Sequence, residues 1–254
     1  MSVRSLEGRS ALITGGNGGI GLGMAEGLAR AGADVAIWGT NEEKNAAASE
    51  RLGRLGVKVH AERCDVSSED DVERAFASTL EALGHLDATF ANAGISGHAP
   101  DLSAMSLAEW HRVMAVNLDG TFLTFRAAAR HMIERGEPGA LVAVSSTSAI
   151  HGAAAMPHYA TSKTALLGLV RALAVQLARH RIRVNALLPG WTDTDLLSGP
   201  AQNPKFVEKT LARTPVRRWA DPEEFGSVAV WLADPSASFH TGDSVVMDGG
   251  YTIF

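Results

Sequence analysis

The chain has 254 residues, of which 46% are hydrophobic, and its formal net charge is −5 at pH 7. This composition predicts a globular protein with a core large enough for a single domain over residues 1–254. The net negative charge gives no sign of the excess of basic residues that binds nucleic acid or an anionic membrane surface. The single cysteine, Cys64, excludes an internal disulfide.

Residues 1–7 lack the apolar stretch of a signal peptide, and no apolar run reaches the ~18 residues that a membrane-spanning helix needs. We therefore expect a cytoplasmic protein whose partners are small molecules, with neither nucleic acid nor membrane among them.

Apolar strand patterns alternate with helical patterns along the chain. Predicted strands begin near residues 10, 34, 57, 87, 140, 182 and 244, and predicted helices span residues 20–31, 42–55, 69–83, 107–135, 157–179 and 222–233. This alternation predicts an α/β fold with a doubly wound, seven-stranded and mostly parallel sheet that has helices on both faces. The segment at about 192–216 interrupts this alternation of strands and helices, because it contains the helix- and strand-breaking sequences Ser-Gly-Pro and Asn-Pro. Connections of that length are usually functional or disordered.

The first predicted strand ends at Thr14 and runs directly into a glycine-rich turn. Gly15, Gly19 and Gly21 let the backbone turn sharply and approach a pyrophosphate, whose charge would then lie at the N-terminus of the following helix. Because this turn joins the first strand and helix of a βαβ unit, it predicts a dinucleotide-binding site.

Tyr159 and Lys163 lie one helical turn apart on a predicted helix that begins near Pro157. A free tyrosine has a pKa of ~10, so proton transfer near neutrality requires a pKa lower by roughly 3 units, or about 4 kcal/mol. An ammonium at ~5 Å supplies about 3 kcal/mol of that at an effective dielectric constant of ~20. The pair predicts an acid–base centre, although its spacing alone also fits an ordinary surface contact. Upstream, a buried strand pattern ends at Ser145 and Ser146, whose side chains alternate in direction, so we assign Ser145 a structural role.

Together these features resemble the short-chain dehydrogenase/reductase family, of the type whose chains have about this length, over nearly the whole sequence. The family's cofactor turn is matched by Thr14, Gly15, Gly19 and Gly21, and its Asn-Ala-Gly segment by Asn92, Ala93 and Gly94. Its catalytic set is matched by Asn117, Ser146, Tyr159 and Lys163, and its Pro-Gly segment by Pro189 and Gly190. The resemblance implies a Rossmann-like fold and an oxidoreductase that transfers a hydride between a nicotinamide cofactor and a secondary alcohol or ketone.

The resemblance also implies a role for each catalytic side chain. Tyr159 would be the general acid–base, and Ser146 would donate a hydrogen bond to the substrate oxygen. Lys163 would lower the pKa of Tyr159 and bind the nicotinamide ribose. Asn117 would hold a water molecule that links Lys163 to solvent.

The choice between NAD and NADP is not fixed by the family pattern. The further residues expected to contact the cofactor are Asn17, Ile20, Gly39, Thr40, Asn41, Asp65, Val66, Thr192 and Thr194. Gly39 stands where NAD-binding relatives carry Asp, and Thr40 stands where NADP-binding relatives carry Arg. The missing cation favours NAD, whereas Thr40, Asn41 or Lys44 are the alternative ligands for a 2′-phosphate.

The expected substrate pocket mixes apolar and polar side chains. Its predicted residues are Ser96, Ser146, Ser148, His151, His158, Tyr159 and Trp191, together with Leu196 and Leu197 from the segment at about 192–216, which covers the substrate in the family. For His151 and His158 a packing or solvent-facing role is an equal alternative. Neither has metal-ligand spacing, so we expect no metal.

Two alternative functions stay open. Some members of the family reduce 3-oxoacyl thioesters on a carrier protein, and Arg126 and Arg130, four residues apart on a helix, either meet such an acidic carrier or face solvent. A non-catalytic dinucleotide sensor or scaffold is also compatible with the fold, although a sensor has no need of a Tyr/Lys pair. The resemblance further implies a homotetramer formed through the two long helices and the C-terminal strand.

Overall fold

The computed structural model describes residues 6–99 and 101–254. Its strands are β1 (Ser10–Thr14), β2 (Asp34–Gly39), β3 (Val59–Arg63), β4 (Ala88–Ala91), β5 (Gly139–Val144), β6 (Ile182–Pro189) and β7 (Ser244–Met247). Its α-helices are α1 (Gly19–Arg30), α2 (Glu42–Gly53), α3 (Glu69–Leu83), α4 (Leu107–Met114), α5 (Gly120–Arg135), α6 (Pro157–Leu177), α7 (Pro204–Arg213) and α8 (Phe225–Ala233).

The seven strands form one sheet in the order β3-β2-β1-β4-β5-β6-β7, and all six pairings are parallel. The predicted doubly wound, seven-stranded fold is therefore confirmed. The chain runs outward from β1 to β3 and then returns to place β4 beside β1. Such a reversal of strand order opens a crevice at the carboxyl ends of the strands, where ligands bind in this class of fold.

Both faces of the sheet are buried, as expected for parallel strands. Along β1, Leu12 packs on one face with Trp38 and the helices α3, α5 and α6, whereas Ile13 packs on the other face with Met24 of α1 and Phe225 of α8. Successive side chains of a strand point to opposite faces, so one short apolar strand contributes to two cores. In the described part of the chain, no helix is both long and apolar enough to cross a membrane.

Two predicted elements differ from the structure. The helix predicted over residues 107–135 is divided by a π-helical turn, Ala115–Asp119, that separates α4 from α5. The segment at about 192–216 contains the short 3₁₀ turns Asp195–Leu197 and Pro200–Gln202 and the helix α7. Its Asn-Pro pair starts α7, because the Asn203 side chain accepts a hydrogen bond from the Lys205 N–H at 3.1 Å and proline is favourable at the first helical position.

Candidate active site

Four neighbouring strands end at the same edge of the sheet. β1 ends at Thr14, β4 at Ala91, β5 at Val144 and β6 at Pro189. The residues that follow these four ends therefore lie around one crevice, and they include most of the residues that the sequence motifs single out.

The structure brings Ser146, Tyr159 and Lys163 together. Ser146 follows β5 and caps a 3₁₀ turn, where its hydroxyl oxygen accepts the Ser148 N–H at 3.1 Å. Its side chain also acts on the Tyr159 hydroxyl, whose pKa it tends to lower. The Lys163 Nζ lies 5.7 Å from the centroid of the Tyr159 ring and donates to the Val144 carbonyl at 2.8 Å. The first turns of α6 thus present a phenol and an ammonium beside a serine hydroxyl.

The pKa of Tyr159 differs from the prediction. Burial raises its pKa above the ordinary value, and the side chain of Ser146 acts in the opposite direction. Burial also lowers the pKa of Lys163, to about 8, because a poorly solvated site disfavours the charged form of either group. The expected net lowering of the Tyr159 pKa is therefore wrong for this structure, because burial outweighs the effect of Ser146; at neutral pH the phenol is protonated and Lys163 is still a cation.

Asn117 lies in the π-helical turn and is completely buried. Its Oδ1 accepts the Ile95 N–H at 2.8 Å, and its Nδ2 donates to the Ile95 carbonyl and to the Ser162 hydroxyl, both at 3.0 Å. Ser162 in turn donates to the Tyr159 carbonyl at 2.7 Å. The Asn117 side chain thus ties the loop after β4, through Ser162, to the backbone of Tyr159, and the water-holding role of this residue stays a prediction.

Ser162 was missed by the sequence analysis, although it lies three residues after Tyr159 on the same helix. Ser145 behaves as expected from its strand position, since its buried hydroxyl donates to the Lys163 carbonyl at 2.7 Å. The helix that carries Tyr159 and Lys163 is thus fixed from two sides, by Ser145 and by Asn117 through Ser162.

The glycine turn forms an open cradle at the N-terminus of α1. Gly15 and Gly19 have φ values of +64° and +50°, which glycine adopts without strain. A side chain on Gly15 would lie 2.9 Å from the Asn92 amide nitrogen. Thr14 accepts the N–H groups of Asn92 and Ala93, each at 3.0 Å, so Thr14 and Asn92 hold the turn in place and do not reach outward.

These features fit a dinucleotide. The open backbone of the turn stands at the positive end of α1, where a pyrophosphate is favourable; Ile20 follows in the first turn of α1, half-buried. A side chain on Gly94 would lie 3.2 Å from both the Asn117 Oδ1 and the Lys163 Nζ. Glycine at this position therefore keeps free the space in front of Lys163 that a ribose would need.

The end of β2 is filled by amide side chains. The Asn17 Nδ2 donates to the Asn45 Oδ1 at 2.7 Å, and the Asn45 Nδ2 donates to the Gly39 carbonyl at 3.0 Å. Any side chain on Gly39 would overlap both amides. Thr40 is exposed, and Asn41 is the N-cap of α2, where it accepts the Lys44 N–H at 2.8 Å. Asn45, which the sequence analysis missed, thus explains why this strand ends in glycine.

After β3, Asp65 accepts hydrogen bonds from the N–H and hydroxyl of Ser67 at 3.0 and 2.7 Å, and the buried Val66 packs against Gly120. Burial raises the pKa of the neighbouring Cys64 to about 12. This thiol is therefore protonated at neutral pH and is not an activated nucleophile.

After β6, the chain passes back over the glycine turn. The Gly190 N–H donates to the Met247 carbonyl at 2.9 Å, and the buried Thr192 pairs with Ala220 in an isolated bridge. The Thr194 methyl lies 3.1 Å from the position that a side chain on Gly19 would take. The segment that begins at Thr192 therefore lies beside the predicted cofactor turn and occupies the space next to Gly19.

Aromatic rings surround the predicted substrate pocket. The Trp191 ring stands edge-on to Phe206 of α7 and to Tyr251, with centroid distances of 5.1 and 6.1 Å, and the His151 ring lies 5.5 Å from Tyr251. Ser96 and Ser148 are half-buried, Leu197 is buried and Leu196 is exposed. Phe206 and Tyr251 were missed, because one belongs to an unpredicted helix and the other follows the last strand.

His158 does not belong to this pocket as predicted. It is completely buried; its Nδ1 accepts the Tyr159 N–H at 3.0 Å, and its Nε2 lies 3.4 Å from a Glu109 carboxylate oxygen. The Arg112 guanidinium and His158 together lower the pKa of Glu109 to about 2. His158 therefore joins α4 to the start of α6. Among the described residues, no group of three or more His, Cys, Asp or Glu side chains is arranged to hold a metal ion.

Comparison with known proteins places this geometry in a family. Residues 15–252 match the family described as enoyl-(acyl carrier protein) reductase. The chain is 37% identical to 2,5-dichloro-2,5-cyclohexadiene-1,4-diol dehydrogenase of Sphingobium indicum over 98% of this chain and 99% of that protein. It is 36% identical to a 3-oxoacyl-[acyl-carrier-protein] reductase of Chlamydia pneumoniae, over 98% of each.

A solved structure agrees with these relatives. The gluconate 5-dehydrogenase of Burkholderia cenocepacia in complex with NADP and tartrate superposes with a TM-score of 0.93 and 36% identity, over 100% of this chain and 99% of that one. The family match, the related sequences and the shared fold lead to one conclusion: the chain belongs to the short-chain dehydrogenase/reductase family.

Proposed function

We propose that this protein is an oxidoreductase that transfers a hydride between a nicotinamide cofactor and a secondary alcohol or ketone, with Tyr159 as the general acid–base. The observation that carries the proposal is the position of the Lys163 ammonium, 5.7 Å from the Tyr159 ring, together with the effect of Ser146 on the pKa of the Tyr159 hydroxyl. This group lies at the sheet edge that also holds the glycine turn. The related dehydrogenases and reductases support the same class of reaction.

Each side chain has a defined part in the proposed mechanism. In reduction, the protonated Tyr159 donates its proton to the substrate oxygen, while Ser146 donates a hydrogen bond to the same oxygen as its negative charge grows. The phenolate that remains is stabilised by the nearby Lys163 cation. In oxidation, the same phenolate accepts the hydroxyl proton. Asn117 acts through Ser162 to hold Tyr159 in place and is a positioning residue.

The charges around the predicted cofactor site support a preference for NAD. No arginine follows Gly39, and Lys44 is engaged with Asp195 at 2.6 Å, so neither of these two positions offers a free cation to a 2′-phosphate. The Burkholderia relative, by contrast, is in complex with NADP. The other proposed cofactor contacts are those predicted from the motifs, with Lys163 toward the nicotinamide ribose and Thr194 beside the glycine turn.

A carrier-protein reductase is the second candidate, since one relative carries that name. Against it, Arg126 and Arg130 form ion pairs with Glu69 and Glu73 of α3. These contacts neutralise the two charges that an acidic carrier would use. A sensor or scaffold ranks third, because it leaves the arrangement of Ser146, Tyr159 and Lys163 without a purpose.

We extend the proposal to the organisation of the protein. Residues 1–254 form one catalytic domain in which the segment at about 192–216 covers the substrate, as the contact between Phe206 and Trp191 supports. A homotetramer is supported by exposed apolar side chains on α5 and α6, such as Phe122 and Val175; sedimentation as a monomer at micromolar concentration contradicts it. The cytoplasmic location stays a prediction from the sequence.

The experiment that tests the proposed function has two stages. The purified protein is titrated with NADH and NADPH separately, with binding followed by fluorescence, and turnover of a panel of secondary alcohols and ketones is then measured with the tighter cofactor. We expect saturable binding, NADH tighter than NADPH, and turnover of at least one compound. Binding without any turnover supports a sensor, and preference for NADPH moves the carrier-protein reductase to first place.

A further inference from the structure

The end of β2 lacks the carboxylate that an NAD-selecting strand normally presents to the ribose. Gly39 occupies that position, and the amides of Asn17 and Asn45 fill the space that a side chain would need. Asn45 is itself fixed by the Gly39 and Glu62 carbonyls, at 3.0 and 3.2 Å. A carboxylate therefore cannot be carried by the strand itself.

A carboxylate reaches this region from elsewhere in the chain. Asp195, in the 3₁₀ turn after Thr194, forms an ion pair of 2.6 Å with Lys44 in the first turn of α2. The two residues are 151 positions apart in sequence. Because Thr194 lies beside the space next to Gly19 of the glycine turn, the ion pair of Asp195 joins the segment next to this turn to the start of α2.

We propose that Asp195 supplies from this segment the negative charge that β2 lacks, and that its ion pair with Lys44 selects against a dinucleotide with a 2′-phosphate. The inference rests on the proposed function, since it concerns the cofactor of the same site. It makes Lys44 and Asp195 a pair of specificity-determining residues that neither the cofactor-binding motif nor β2 includes.

The Asp195 carboxylate and a 2′-phosphate would compete for the same cation, Lys44. Lys44 is the only basic residue in the first turn of α2, which also carries Glu42 and Glu43. A 2′-phosphate that approaches Lys44 has to displace the Asp195 carboxylate and then lies beside a like charge. A 2′-hydroxyl is uncharged and meets neither penalty. Discrimination therefore comes from a cost imposed on the wrong cofactor, which is a common route to specificity.

A second cation at the same edge lies near two other carboxylates. Arg63, the last residue of β3, pairs in register with Gly39, and its guanidinium lies 4.0 Å from both Glu42 and Asp71. Arg63 is therefore the appropriate control for the effect of Lys44. The control for Asp195 is Asp193, an exposed carboxylate of the same segment that forms no ion pair within the described residues.

The test is equilibrium titration with NADH and NADPH, followed by fluorescence, so that the readout does not depend on turnover. Asp195→Asn is expected to tighten NADPH binding by about tenfold, or about 1.4 kcal/mol, and to leave the NADH dissociation constant within about twofold, as expected for an uncharged 2′-hydroxyl. Lys44→Met in the Asp195→Asn background is expected to abolish that gain. Asp193→Asn and Arg63→Met are expected to leave the NADPH:NADH ratio near the wild-type value.

Three results overturn the inference. They are an equal effect of Asp195→Asn on both cofactors, an equal gain from Asp193→Asn, and a gain that persists when Lys44 is also replaced. Failure of the wild type to bind either cofactor overturns the proposed function itself, which separates the two failures. Circular dichroism of each variant establishes that it is folded, and the contrast between cofactors should diminish at high salt because the two side chains are exposed.

Discussion

Two regions at the same edge of the sheet are built in different ways. The catalytic corner consists of Asn117, Ser146, Tyr159 and Lys163. Short hydrogen bonds in this corner connect β5, α6 and the loop after β4. The ribose corner consists of Asn17, Gly39, Lys44, Asn45 and Asp195. It has a partly buried hydrogen bond between two amides at its base and an exposed ion pair at its rim. The side chain that must hold a proton in a fixed position is surrounded by hydrogen-bonded groups. The charged side chains that select a cofactor lie at the surface, where they can be substituted with little effect on stability.

The largest effect is expected from the hydroxyl of the catalytic corner. Ser146→Ala removes the donor to the substrate oxygen and should lower kcat by about 10²–10³-fold, the usual effect of losing one such donor. The NADH dissociation constant should change little. Steady-state kinetics with a substrate found in the panel measures both quantities.

Ser145→Ala is the matched control, because its hydroxyl contacts only the Lys163 carbonyl. It should lower the free energy of unfolding with a much smaller effect on kcat. An equal loss of kcat in both variants would show that the two serines have the same structural role.

A stability effect is expected from the buried lysine. Burial lowers the pKa of Lys163 from 10.5 to about 8, so the unfolded chain binds more protons between these values and wild-type stability rises with pH across that window. Lys163→Met removes the penalty. Relative to the wild type, the free energy of unfolding of Lys163→Met should therefore be highest below pH 8. This difference should fall by about 3 kcal/mol as the pH rises to 10.5.

Urea denaturation of the cofactor-free protein at pH 7 and pH 10 measures this change. Lys44→Met, in the exposed ribose corner, is the control and should show no such trend. A pH-independent difference between Lys163→Met and the wild type would mean that the ammonium is not buried in the folded protein.

A smaller effect is expected when the family's carboxylate is restored on β2. Gly39→Asp places a side chain where the Asn17 and Asn45 amides lie, and overpacking of this kind costs about 1–3 kcal/mol. We expect a lower free energy of unfolding and no gain in NADH affinity. The loss should shrink in an Asn45→Ala background, and strict additivity of the two substitutions would contradict the proposed overlap.

The smallest effect on stability is expected at the rim of the ribose corner. The Lys44 and Asp195 side chains are 55% and 88% exposed, and such surface ion pairs contribute about 0–1 kcal/mol. Lys44→Met and Asp195→Asn should therefore unfold within about 1 kcal/mol of the wild type, as measured by urea denaturation. A larger loss would give the pair a structural role in place of a selective one.

The two corners also differ in how far the sequence predicts them. Strand and helix periodicity predicts the sheet, and helical spacing predicts that Tyr159 and Lys163 are neighbours, whereas the place of Ser146 beside them was implied by the family resemblance. The predicted direction of the Tyr159 pKa shift is wrong because helical spacing does not reveal how far tertiary packing removes the hydroxyl from solvent. The ion pair of Lys44 with Asp195 has no local pattern at all, since it joins residues 151 positions apart.

The decisive measurement for proton transfer by Tyr159 is the turnover of Tyr159→Phe, with NADH binding measured on the same samples. The variant is expected to bind NADH as tightly as the wild type and to lose kcat by at least about 10²-fold, because general acid–base catalysis contributes about 10²–10⁴-fold. Turnover at the wild-type rate, with Tyr159 replaced and cofactor bound, would contradict the assignment of Tyr159 as the proton donor.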